Sequence, residues 1–536
     1  MHIVAQTSQR EATGRHAFLV GAGILLSRMI GLVRQHYFSR YFGLSDAADA
    51  FNIAFRIPNL LQNLFGEGVL SASFIPVYAR LLAEGSEEEA GPVAGAIAAI
   101  LALTTAVIVL LGVLFTPVVT DVVASGFHGA KRELTIRLVR ILFPGAGLLV
   151  LSAWCLGILN SHRKFFLSYT APVIWNLAMI AALALFHGEQ ESALAVTLAW
   201  GSVLGSALQF GIQLPVVLRL ARHVRLRLDT RRPQVREVVR NFLPVFMSRG
   251  VVQISAFVDG WLATWLGTGA VAGLTNAQTL YTLPVSLFGM SVSAAELPAM
   301  SSALGDRQEV AGYLQSRLNS GLRRIAFFVV PSAMAFLALG GVIASLLFEN
   351  GRFNRENSLY VWGIVAGSSV GLLASTMGRL YSSTYYALRD TRTPLRFALV
   401  RVALTTALGY LCALPLPKLL GVEQRWGAVG LTVSAGIAGW VEFTLLRSAL
   451  NRRIGATGLP APLVAKLWMA AAAAAAVAWA LKLAELPIGA RHPTVFGAFL
   501  ICAYGAVYFG ATWLFRVEEC AVAIRAITRR FGISNR

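Results

Sequence analysis

The chain has 536 residues, 56% of them hydrophobic and 13% charged, about half the charged share of a soluble domain. Too little polar surface remains to solvate a globule of this size, so lipid has to solvate the outside, which excludes a soluble enzyme or binding module. The net charge of +20 is scattered through short segments between apolar runs rather than gathered on one face, which fits topogenic lysine and arginine and excludes a nucleic-acid partner.

A run of about 20 apolar residues crosses the hydrocarbon core. By that ruler helices are expected near 17–42, 52–82, 92–120, 134–160, 165–187 and 192–222. A second set is expected near 236–266, 270–302, 312–347, 357–388, 394–416 and 426–450, and two more near 461–484 and 493–516. The predicted fold class is therefore all-α integral membrane, with about fourteen transmembrane helices. The first segment contains Arg28 and Arg34 and runs on too long for a signal h-region, so no cleavable signal peptide is expected.

Loop charge sets the expected orientation. One alternate set of loops holds Arg163-Lys164, the stretch Arg219 to Arg240, Arg307 to Arg324, Arg389 to Arg401, Arg447 to Arg453 and the Arg-rich C-terminus. The other holds only Lys131, Arg132, Arg352, Arg355, Lys418, Arg425 and Arg491. The basic set is read as cytoplasmic, with both termini inside. The acidic stretch Glu84 to Glu89 falls on that side too, but acidic residues weigh little in the rule. A basic cytoplasmic face also attracts anionic lipid head groups.

An internal repeat organises the chain. The second predicted helix carries Leu64-Phe65-Gly66, then Ser71-Ala72, then Pro76; the eighth carries Leu287-Phe288-Gly289, then Ser293-Ala294, then Pro298. Ser27-Arg28 in the first helix is matched by Ser248-Arg249 in the seventh. Copies an even number of helices apart keep one orientation, so the repeat is parallel, and transporters built this way hold substrate between the halves. The expected organisation is an N-terminal lobe over 1–222, a C-terminal lobe over 223–453, each of six helices, and two additional helices with a tail over 454–536.

Ionisable groups inside spans are costly and normally face a cavity or a partner. Arg28 and Arg34 lie on one helix around Gly31, which permits a kink that turns both toward one cavity; snorkelling to the interface is the alternative, above all for Arg34 and Arg40. Asp49 and Arg56 are two turns apart near one face and can answer each other or Arg28 and Arg34. Pro58 breaks helix regularity, and Asn59, Gln62, Asn63 and Glu67 crowd polar groups into about two turns. A lipid-facing helix would not carry them; they line a cavity or lock helices together. Arg249, Asp259, Glu296, Arg379 and Glu442 are further charges within spans, with structural ion pairs as the alternative for Arg249 and Asp259. Guanidinium groups bind phosphate bidentately, so several arginines in a cavity point to an anionic, pyrophosphate-bearing substrate.

No catalytic signature appears: there is no P-loop, HExxH, GxSxG or paired-cysteine motif. Cys155, Cys412, Cys502 and Cys520 fall in or beside apolar runs with no CxxC pair, so neither a metal nor another cofactor is expected.

With these residues in view, the sequence resembles the MurJ (MviN) family of lipid II flippases, within the multidrug/oligosaccharidyl-lipid/polysaccharide exporter superfamily. The resemblance rests on Ser27-Arg28-x-x-Gly31-x-x-Arg34, Asp49-Ala50-Phe51, Pro58-Asn59-Leu60, Phe65-x-Glu67-Gly68, Ser71 and Phe74-x-Pro76. It extends to Gly351-Arg352-Phe353 and Tyr386-Ala387-x-x-Asp390-Thr391-x-Thr393-Pro394, and so covers essentially the whole chain. It implies two six-helix lobes around a cationic cavity, a groove for a polyprenyl tail formed by the last two helices, and alternating access. Arg28, Arg34 and Asp49 match the family's motif. The chain departs from it at Gln35, where an acidic residue is frequent, and at Gln62 and Thr279, where arginines are expected; Arg249 and Arg379 are then expected to supply charge in their place.

The implied function is flipping of lipid II from the cytoplasmic to the periplasmic leaflet of the inner membrane, with Arg28, Arg34 and Arg249 on the pyrophosphate. Asp49 would pair with an arginine in one conformation, and Arg56, Asn59, Gln62, Glu67 and Arg379 would complete the binding set. Two alternatives stand beside it: another polyprenyl-pyrophosphate glycan as cargo, or a non-transporting scaffold. The implied partners are the lipid-linked precursor, membrane lipids and wall-synthesis enzymes, and a monomer suffices.

Overall fold

A computed structural model describes residue 23 and residues 25–302, 306–484 and 493–530. The expected helix start at 17–22, Arg491 and the end of the Arg-rich tail lie outside the described residues. Among the described residues every regular element is helical, apart from an isolated antiparallel bridge between Asn350 and Phe353. The chain divides into two compact units, Met1–Val271 and Ala272–Arg536.

The first unit runs α1 (25–42), α2 (Asp46–Phe65), α3 (Glu67–Ser73), α4 (Ile75–Ala83), α5 (Glu87–Leu114) and α6 (Thr116–Val123). It continues through α7 (Gly129–Ser161), α8 (Phe165–Leu185), α9 (Glu191–Leu220) and α10 (Pro233–Ala263). Helix α7 is the most enclosed and packs against α2, α5 and α9. Its Trp154 and Ile158 meet Phe74 and Tyr78 of α4's approach and Ala94 and Ile97 of α5 in one apolar cluster. The Trp154 indole N–H donates to the Ala94 carbonyl at 3.1 Å, as a ring nitrogen buried away from water must. At the end of α7, Tyr78 Oη lies 3.1 Å from His162 Nε2, and burial holds that imidazole below its ordinary value.

The second unit follows α11 (Ala270–Pro284), a π-helical turn (Val285–Met290) and α12 (Ser291–Ser301). Then come α13 (Arg307–Phe348), α14 (Arg355–Ala387), α15 (Arg392–Ala413), α16 (Pro415–Leu420) and α17 (Gly427–Ile454). It closes with α18 (Ala461–Leu483), α19 (Pro493–Leu514) and α20 (Glu518–Arg530). Helix α13 starts on a capping box, with Asp306 accepting from the amides of Gln308 and Glu309. Pro331 inside α13 has no N–H, so the Phe327 carbonyl four residues earlier loses its helical donor. Tyr508 of α19 replaces it, donating to Phe327 O at 2.6 Å, and Tyr504 donates to Pro331 O at 2.7 Å. Arg323 of α13 adds ion pairs to Glu518 and Glu519 at 2.9 and 2.5 Å. The last three helices are thus tied to α13 along its length.

Eleven helices among the described residues are long and apolar enough to cross a membrane. The expected spans outside that set are the polar ones. The first carries Arg28, Arg34 and Arg40; the second is cut at Gly66; the seventh, α10, carries Arg236, Glu237, Arg240, Arg249 and Asp259.

The internal repeat marks irregular backbone in both units. In the first copy Gly66 stops α2 with φ −93° and ψ −138°, and a Cβ there would collide with the Gln62 carbonyl oxygen. In the second copy Leu287-Phe288-Gly289 falls inside the π-helical turn that follows Pro284, and Gly289 lets Thr376 of α14 approach. Single π turns and breaks of this kind are frequent at functional sites.

Three helix ends share a left-handed cap residue that is an exposed arginine: Arg163 (φ 58°), Arg389 (φ 58°) and Arg516 (φ 53°). In each, the next amide reaches back five residues, as Lys164 N to Leu159 O, Asp390 N to Tyr385 O and Val517 N to Thr512 O. These are Schellman ends at which glycine is the usual occupant. The turn after Arg389 is closed by Asp390, which accepts from the amides of Arg392 and Thr393, the Thr393 hydroxyl and Arg453. Burial alone would raise this carboxyl, but the Thr393 donors and the Arg453 guanidinium hold it at about 2. The Tyr386–Pro394 motif is therefore a helix-capping device. Gly351-Arg352-Phe353 is likewise a turn, with Gly351 at φ 59° and Phe353 buried against Phe348.

Candidate functional site

In the first unit, α1, α2 and α8 place one cation over two aromatic faces. Phe55 of α2 and Trp175 of α8 stack with centroids 5.5 Å apart and planes 10° from parallel. The Arg34 guanidinium of α1 sits 5.5 Å from each ring centroid, and its Nη1 is 3.8 Å from Met179 Sδ. Trp175 is fixed by donating from Nε1 to Ser202 O of α9 at 3.1 Å. Among the described residues Arg34 has no carboxylate partner: ring quadrupoles and a thioether hold it, worth about 0.5–2 kcal/mol in all by typical cation–π values. Arg28, two turns earlier, is exposed.

Arg56, two turns beyond Asp49 on α2, leans onto α10. Its guanidinium occupies the space over Gly260, where a Cβ would collide with Nη1, and it feels the charge of Asp259. Asn59 and Gln62 follow on α2, both half-buried. Among the described residues neither makes a side-chain hydrogen bond. The side chains of Glu67 and Arg249 lie outside the described residues; their backbones are the first residue of α3 and part of α10.

Asp49 answers to a different element from the one expected. Its side chain is fully buried, and its Oδ2 accepts from Lys131 Nζ and from the Gly269 amide, each at 2.7 Å. The sequence reading looked to arginines; a lysine at the start of α7 supplies the cation. Asp46 joins the same lysine at 2.8 Å and accepts from the Thr268 hydroxyl at 2.8 Å. Burial opposes ionisation of Asp46, and Lys131 and Thr268 overcome it, so its carboxyl lies below the ordinary value. Both aspartates lie in the first turn of α2, where the helix dipole also favours negative charge. The cluster clamps the α2 start to α7 and to the turn after α10. Lys131 was read only as loop charge, and the aromatic floor of Arg34 not at all; α8's Trp175 and Met179 at i, i+4 were the signal for it.

In the second unit Arg379 is exposed on α14. The buried Glu296 of α12 takes Arg317 at 2.8 Å and Arg324 at 3.5 Å from α13, and Glu442 of α17 takes Arg401 of α15 at 3.1 Å. Thr279, where an arginine was expected, returns its hydroxyl to the Thr275 carbonyl of its own helix at 3.0 Å. No group of histidine, cysteine, aspartate or glutamate among the described residues could hold a metal ion.

Comparison with known proteins gives a consistent result. A family model described as lipid II flippase MurJ matches residues 38–490. A probable lipid II flippase MurJ of Rhizobium meliloti is 32% identical over 539 residues, covering 96% of this chain and 96% of its own. A lipid II flippase MurJ of Burkholderia cenocepacia is 31% identical over 445 residues, covering 82% and 84%. Among solved structures, a lipid II flippase MurJ in an inward closed conformation superposes with a TM-score of 0.77 at 23% identity, covering 93% of this chain and 98% of that one. An inward-facing multidrug MATE transporter of the MOP superfamily gives 0.66 at 18%, covering 80% and 95%.

Proposed function

The chain belongs to the MurJ family of lipid II flippases, and on that premise we propose that it carries lipid II from the cytoplasmic to the periplasmic leaflet of the bacterial inner membrane for peptidoglycan synthesis. It is a transporter, and no covalent chemistry is asked of it. The observation that supports an anionic cargo is Arg34, a cation held by Phe55, Trp175 and Met179 with no carboxylate partner among the described residues. A charge kept uncompensated in a low-dielectric setting binds an incoming pyrophosphate more strongly than one already paired. Arg28 and Arg56 extend the positive character along α1 and α2. Asn59 and Gln62 offer neutral donors to the head group, with Glu67, Arg249 and Arg379 as further members of the set. Asp49 belongs to this proposal as a positioning residue, since it fixes where α2 starts. The basic loops and both termini face the cytoplasm, a monomer suffices, and wall-synthesis enzymes are the partners that would take up the product.

Complementation tests the reading. Expressed in a bacterium depleted of its own lipid II flippase, the wild-type chain should prevent lysis and restore lipid II at the outer leaflet. Arg34→Ala and Arg28→Ala, present in the membrane at wild-type level, should fail. Absence of rescue by the wild type, folded and inserted, would reassign the cargo to another polyprenyl-pyrophosphate glycan; rescue by both alanine variants would remove the arginines from the site.

A further inference from the structure

The ends of α13 and α18 and the starts of α14 and α19 line a half-open cavity of about 540 Å³ within the second unit. It lies at the helix ends that the charge rule assigns to the periplasmic side. Its polar wall holds two cations and one carboxylate: Arg355, Lys482 and Glu349. Among the described residues neither Arg355 nor Lys482 has an acidic partner, and the two stand near enough to feel each other's charge. Glu349 accepts from the buried Ser358 hydroxyl at 3.0 Å, which fixes the carboxylate and leaves it acceptor capacity.

The apolar wall is built as firmly. Trp362 Nε1 donates to Leu337 O at 3.0 Å and Trp479 Nε1 to Ala338 O at 2.9 Å, so both indoles are pinned to α13. Gly340 makes room for the first, because a Cβ there would meet Trp362 Cδ1 at 2.5 Å. Lys482 Nζ rests 4.8 Å from the Trp479 centroid. Pinned tryptophans at the end of membrane-spanning helices sit at head-group level.

Two repelling cations with no acidic partner among the described residues call for an anion between them, and a fixed carboxylate in the same cavity calls for a cation. Leu359, exposed beside Trp362, continues the cavity as a hydrocarbon surface. We propose that this cavity binds the head group of an aminophospholipid of the outer leaflet, with the phosphodiester on Arg355 and Lys482 and the ammonium on Glu349. The glycerol and first methylenes lie against the indoles and Leu359, which a soluble phosphate compound could not use. The site is independent of the cargo reading, because none of its residues belongs to the set around Arg34.

The test measures thermal unfolding of the purified full-length protein in detergent with added phosphatidylethanolamine, phosphatidylglycerol, phosphatidylcholine or soluble phosphoethanolamine. Phosphatidylethanolamine should raise the melting temperature by several degrees more than the other three. Arg355→Ala/Lys482→Ala should lose that rise, while the charge-conserving Arg355→Lys/Lys482→Arg pair keeps part of it and shows that the site still folds. Glu349→Gln should bring the response to phosphatidylethanolamine down to that for phosphatidylglycerol. An undiminished rise in the double alanine variant overturns the proposal. So does equal stabilisation by all three lipids, which is annular solvation, or by phosphoethanolamine, which needs no lipid.

Discussion

A carboxylate without access to solvent needs both a cation and hydrogen-bond donors, and at Asp49 these arrive from residues 82 and 220 positions away, Lys131 and Gly269. Removing only the cation leaves a buried charge uncompensated, which typically costs about 3–5 kcal/mol. Lys131→Met should therefore lower the melting temperature of the purified protein sharply, and Lys131→Met/Asp49→Asn should recover much of the loss. A single variant that melts like wild type would show that the clamp contributes nothing. Asp49 was legible in the sequence as a charge in an apolar setting, but its partner was not, because neither helical period nor motif links positions so far apart. Arg34 gives the same lesson. Its position in a span was legible; the Phe55–Trp175 stack beneath it exists only once the fold brings a side chain of α2 against one of α8.

Helix irregularity was the most readable property at the level of elements. The Leu-Phe-Gly triplet recurs at 64–66 and 287–289, and both copies coincide with a departure from α-helical geometry, a stop in one and a π turn in the other. The sequence shows that the two sites correspond; which irregularity each adopts depends on neighbours, Ala153 near Gly66 and Thr376 against Gly289. A methyl group at 66 meets the Gln62 carbonyl, so Gly66→Ala has to move backbone, at about 1–3 kcal/mol by the usual overpacking scale. The expected outcome is a lower melting temperature together with reduced rescue in the depletion strain. A variant of wild-type stability and activity would mean that the break is dispensable. The tie between Tyr508 and the Phe327 carbonyl was out of reach for sequence reading, although Pro331 announced that some donor had to come from outside α13.

Composition alone excluded a soluble protein, and hydropathy placed the apolar spans. It was weakest for the three polar helices, whose charges lower their hydropathy and include Arg28, Arg34, Arg56 and Arg249, residues proposed to meet cargo. The distribution of arginine between alternate loops leads to a further prediction. A fluorescent protein fused after Arg536 should fluoresce, and alkaline phosphatase at the same place should be inactive, as expected of a cytoplasmic end. The reverse pattern would invert the whole assignment, including the leaflet to which the Arg355–Lys482 cavity opens.

Arg163, Arg389 and Arg516 occupy backbone conformations that disfavour any residue with a Cβ, by about 1–2 kcal/mol each. All three stand in loops read as cytoplasmic, where a guanidinium also holds its loop back during insertion. At these positions the needs of the finished fold and of the nascent chain conflict. Glycine would suit the folded protein better, yet it would erase three of the charges by which the translocation machinery orients the helices. A variant engineered there for heat resistance would therefore gain stability as a molecule and lose fidelity as a membrane insertion product.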